Sequence, residues 1–81
     1  MQAFRMTRTH ALVELMLVIA YYKALVVQAD HLEMNIQALR NRPRALLQSE
    51  FNRVERERRQ TLRRLVQLAR LTDIPVEDLP F

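Results

Sequence analysis

The chain has no glycine, no cysteine and only three prolines, and each scarcity removes a class of answer. Without glycine no glycine-rich loop can wrap a phosphate, so nucleotide-binding turns of that kind are excluded. Without cysteine there are no disulfides, no thiolate metal ligands and no thiol redox chemistry, which suits a reducing compartment and leads us to expect a cytoplasmic protein. The prolines stand at Pro43, Pro75 and Pro80, so residues 1–42 and 44–74 contain no strong helix breaker. Histidine is scarce too. His10 and His31 lie far apart in the chain with no Glu-x-x-His pair, so no metal centre is expected. No Ser-His-Asp set and no paired catalytic carboxylates can be assembled, and we expect neither a cofactor nor enzymatic activity.

What the chain does have is helical periodicity. Ala11, Leu15, Val18, Tyr22, Leu25, Ala29, Leu32, Ile36 and Leu39 follow one another in alternating steps of four and three, which holds them in a narrow stripe on a rod of about 3.6 residues per turn. A first helix is therefore predicted over about residues 8–40, capped at Thr7 or Thr9. Asn41 suits a left-handed C-cap and Pro43 the start of a new helix, so a turn is predicted at 41–43. A second helix over about 44–72 carries its own row of Leu47, Phe51, Val54, Arg58, Thr61, Leu65 and Leu68, widened by Leu62, Val66 and Ala69. Beyond it, Pro75 and Pro80 predict an extended tail over 73–81, folding back near Phe4 and Met6 or serving as a linear motif.

The 81 residues thus read as one all-α domain, an antiparallel two-helix hairpin. A connection so short places opposite one another residues whose numbers add to about 84. That register sets Glu14, an acid among leucines and valines, beside Arg70 or Arg63 as an expected ion pair, since an unpaired carboxylate at the seam edge is costly to desolvate. It also brings Arg58 near Tyr22. An arginine at a seam position lays its stem on apolar neighbours and fixes register, or binds an anion.

Two surfaces remain over. From Ala11 to Val27 the first helix is apolar nearly all round, interrupted only by Glu14 and Lys23. Leu12, Met16, Ile19 and Val26 point away from the seam and are the expected partner or dimer interface. A second copy packing there would complete a four-helix bundle, at about 1.5–3 kcal/mol for each leucine or isoleucine buried. The second helix is basic: residues 40–70 carry ten arginines against Glu50, Glu55 and Glu57. Arg53, Arg56, Arg63 and Arg64 are predicted to share its outer face with Gln60 and Gln67, as a solvated surface or a nucleic-acid interface.

The leading reading is a non-enzymatic protein–protein interaction module of the regulator, inhibitor or chaperone-adaptor type, with itself or another protein as partner. Hairpins of this layout are similar in architecture to plasmid RNA-binding dimers, secretion co-chaperones and phage regulators, a likeness of fold that does not carry function. One alternative is a nucleic-acid-binding dimer. The other is a membrane-anchored coiled coil, which resembles small bitopic division and spanin-type proteins. Against it, the longest apolar run without charge, Leu15 to Tyr22, falls far short of the roughly 20 residues that span a bilayer.

Overall fold

The computed structural model describes residues 7–39 and 42–80, with backbone alone at residues 42 and 43. Two long helices make the hairpin, α1 (Arg8–Ala38) and α2 (Arg42–Leu71), followed by a short 3-10 turn, Val76–Asp78. There is no strand among the described residues. Of the two candidate caps Thr7 is the one used: its side-chain oxygen accepts the His10 amide at 3.1 Å. At the far end Leu39 is extended and closes α1 with an amide donated to the Ile36 carbonyl. The expected Asn41 cap lies outside the described residues.

α2 starts at Arg42, two residues earlier than expected, with Pro43 inside its first turn. No intrahelical donor is missing there, because first-turn amides have no carbonyl to reach within the helix. The early start shifts the two helices against each other. Glu14 meets Arg64, Tyr21 meets Glu57 and Tyr22 meets Arg58, so partners on α2 lie four to six positions short of the expected register. The shift of four at Tyr22–Arg58 is about one helical turn and keeps the same seam inward, with Arg58 beside Tyr22 as expected, while the shift of six at Glu14 and Tyr21 brings different charges into range along the edge.

The core forms two clusters along the seam. Ala11, Leu15 and Ile19 of α1 pack against Leu65, Leu68 and Ala69 of α2, while Leu25 and Ala29 pack on Val54, flanked by Leu32 and Phe51. In the first cluster the buried residues of α1 step by four rather than by four and three, so Ile19 is buried and Val18 stands half-buried beside it. Ile19 is therefore a correction. Expected on the interface, it belongs to the internal core.

α2 ends in a Schellman arrangement. The Ile74 amide bonds the Ala69 carbonyl at 3.0 Å, the Asp73 amide bonds the Arg70 carbonyl at 3.3 Å, and Asp73 takes the left-handed conformation at φ 58°. A chain without glycine places there one of the few other residues that tolerate this geometry. Thr72 is buried, its hydroxyl 3.0 Å from the Leu68 and Ala69 carbonyl oxygens. The turn sends the tail back over the open end of the hairpin, where Ile74 and Leu79 join the first core cluster. Its expected neighbours Phe4 and Met6 lie outside the described residues. With extents of 54 × 32 × 14 Å, the molecule is a slab about one helix thick.

Candidate interaction surfaces

In a slab of two helices each rod has an outer face with nothing over it, and the two outer faces differ sharply. On α1 the exposed large apolar residues are Val13, Met16, Leu17, Tyr21, Val27 and Met34. Val13, Leu17, Ala20, Ala24 and Val27 follow a second strict four-three row, directly across the helix from the seam, with Met16 and Tyr21 on its shoulders. None of the five row positions is charged. Of the four residues expected on this face, Met16 stands open, Leu12 and Val26 are half-buried flanks, and Ile19 is inside. The open row is present in the sequence. It was hard to orient because a helix that is apolar all round offers no contrast between its faces.

Beside this face runs an apolar groove of about 620 Å³ lined by Tyr22, Lys23, Val26, Val27, Leu62 and Val76. Val27 belongs to both the groove and the open row, so the uncovered apolar surface continues from the outside of α1 down to its junction with α2 and the tail.

α2 sorts its arginines by angle. Arg58, at the seam, donates to both Glu55 oxygens at 2.9 and 3.0 Å and to the Tyr22 hydroxyl at 3.2 Å. The Glu55 carboxylate holds its guanidinium well above the ordinary arginine range, and Arg58 in turn holds Glu55 below the usual carboxylate range. On one edge Arg53 bridges Glu50 and Glu57, and Glu57 accepts the Tyr21 hydroxyl at 2.9 Å, which pushes that phenol above its ordinary value. On the same edge Arg64 pairs with Glu14 at 2.7 Å. The expected Glu14–Arg70 pair is thus corrected: the shifted register brings Arg64 within reach, and Arg70 is exposed. Two of the four arginines predicted for the outer face, Arg53 and Arg64, are engaged in ion pairs at its edge. Arg56 and Arg63 lie fully on it, and Arg59 and Arg70, which sequence reasoning left out, stand with them.

Among the described residues no group of three metal-ligating side chains converges. By length and composition α1 is apolar enough to cross a membrane, with 22% of its most apolar stretch buried, a test that the mostly buried core helices of soluble proteins and N-terminal signal sequences also pass. Comparison with family models, curated proteins and solved structures yields no significant match.

Proposed function

We propose that this protein is a non-enzymatic interaction module, of the regulator or adaptor type, whose working surface is the open face of α1 and whose first partner is a second copy of itself. The observation that carries the reading is the uncharged row Val13, Leu17, Ala20, Ala24 and Val27 lying exposed across from the seam. Val13, Met16, Leu17, Tyr21 and Val27 are each at least half exposed. Covering what remains open is worth about 1 kcal/mol or more per side chain, hence on the order of 10 kcal/mol for two copies. That is of the size needed to offset the roughly 4–15 kcal/mol that association costs in lost freedom. Ala20 and Ala24 at the middle of the row let two helices approach at the close end of the usual 8–10 Å range.

An apolar row of this kind is self-complementary, as a two-fold interface requires. Because it faces directly away from α2, the two α1 helices form the inner pair of a four-helix assembly and the α2 helices stand outside. Sedimentation equilibrium of the intact chain in detergent-free buffer tests this. A mass near twice the 9.7 kDa of one chain is expected, falling to one chain for Leu17→Arg with helicity retained. A wild-type monomer throughout the micromolar range, or a chain soluble only with detergent or lipid, overturns the reading.

A further inference from the structure

The strongest feature outside the α1 surface is the opposite side of the slab. Arg56, Arg59, Arg63 and Arg70 all project from the outer face of α2, exposed, and no ion pair within 4 Å engages any of them among the described residues, although Arg59 lies near enough to Glu55 to help hold that carboxyl below its usual range. The reason is angular. Glu50 and Glu57 are bound by Arg53, Glu55 by Arg58 and Glu14 by Arg64, so every carboxylate within reach of α2 before its end is already spent on the seam or its edge. The row runs about 21 Å, the rise of the fourteen residues from Arg56 to Arg70. Between the arginines lie Gln60 and Gln67, with Asn52 and Ser49 continuing the face toward the connection, and no acid interrupts it.

We infer that this face binds the phosphate backbone of double-stranded nucleic acid, independently of base sequence. Four guanidinium groups held along one line repel one another, and a polyanion with regularly spaced phosphates relieves that repulsion where a single small anion would reach one or two of them. Arginine adds a planar fork that meets phosphate oxygens in pairs, and the neutral amides between supply further donors to phosphate and sugar. No aromatic side chain lies on the face, so bases have nothing to stack upon, which disfavours single strands. A bilayer fits poorly too. An interfacial helix needs a broad apolar stripe beside its basic residues; the exposed large apolar residues of α2 are Leu46 and Leu71, near its two ends, with Leu62 and Val66 lining a groove beside Arg63 and Arg70, while the more extended apolar surface lies on α1. The acidic residues Asp73, Glu77 and Asp78 follow in the chain only after α2 has ended.

The test is the salt dependence of binding by the intact chain to short mixed-sequence duplexes of DNA and of RNA, with phosphatidylserine vesicles as a parallel arm. Four phosphate contacts give a slope of about −3.6 in log K against log salt, so affinity falls roughly a hundredfold between about 50 and 200 mM. Arg56→Gln and Arg63→Gln, both exposed and without internal partners, each flatten the slope by about 0.9. Arg53→Gln, which removes an arginine already paired, changes the slope far less. No duplex binding at low salt, a slope indifferent to Arg56 and Arg63, or vesicle binding that exceeds duplex binding overturns the inference. None of these outcomes touches the oligomeric state, so failure here and failure of the α1 reading remain distinguishable.

Discussion

Leu17 and Leu65 offer a matched pair of truncations with opposite expected consequences. Leu65 is 0% exposed at the centre of the larger core cluster, whereas Leu17 is 66% exposed on the outside of α1. Leu65→Ala removes fully buried methyl groups and leaves a cavity, at a cost of about 2–5 kcal/mol. A domain of this length has a total stability of only about 4–12 kcal/mol, so the variant is expected to be substantially unfolded in mild urea. Leu17→Ala forfeits only the third of its surface that the hairpin covers, about 0.5–1 kcal/mol. Its larger effect falls on assembly, where both copies lose the remaining two-thirds. That amounts to about 2–3 kcal/mol per dimer, or roughly 30- to 150-fold in dissociation constant. Urea unfolding followed by circular dichroism at several protein concentrations separates the two effects, because a midpoint that rises with concentration reports association by mass action. Wild type should show that rise, and Leu17→Ala should shift it to higher concentration. A Leu17→Ala cost equal to that of Leu65→Ala at the lowest concentration would refute the open α1 face, and a Leu65→Ala cost below about 1 kcal/mol would refute the hairpin itself.

Asp73 sits at φ 58°, so Asp73→Gly should raise stability by a few tenths of a kcal/mol and Asp73→Val lower it by about 1–2 kcal/mol in thermal unfolding; equal effects would argue against the Schellman turn. A double-mutant cycle on Glu14→Gln and Arg64→Gln should return a coupling of about 0.3–1 kcal/mol, modest because both groups are partly exposed, while Glu14→Gln with Arg70→Gln should return none. Stability should also fall at both extremes of pH. Glu50 and Glu55 have lowered pKa values, so their contribution is present above the ordinary 4.5 and is lost as pH drops below it. Tyr21 has a raised pKa, so its contribution is present below 10.0 and is lost as pH climbs past that value; Tyr21→Phe should remove part of the alkaline loss, and a flat profile in chemical denaturation would contradict all three pairings, Glu50 with Arg53, Glu55 with Arg58 and Tyr21 with Glu57.

Much of the architecture was readable from hydropathy steps. The seam from Ala11 to Ile36, apart from Ile19 taking the place of Val18, and its counterpart from Val54 to Leu68 are where periodicity set them, because a helix pair must bury a stripe and only one stripe on α2 is apolar. What escaped was the register. Proline tolerates any position of a first helical turn, so Pro43 located the turn only to within two residues, and each residue of displacement moves the opposed partner by two. The expected register left Glu14 a choice of Arg70 or Arg63, and the displacement brought Arg64 to it instead. The outer faces divide in the same way. α2 alternates oil and charge, and its exposed side could be drawn with an error of two arginines, whereas α1 carries no such contrast and its open row was placed a third of a turn away from Val13, Leu17 and Val27.

The polar contact between Arg58 and Tyr22 separates the two core clusters, and this division bears on how the molecule comes apart. The cluster beneath the tail has Thr72, Ile74 and Leu79 as a lid, while the one nearer the connection rests on Leu25, Ala29 and Val54 with half-covered neighbours. Breathing should therefore begin at the connection and run toward Arg58 like a zip, with amides around Val54 trading deuterium sooner than those around Leu65 and Leu68. A partner that grips the Arg56 end of α2 would clamp the looser half, leaving the closed half as the permanent hinge pin.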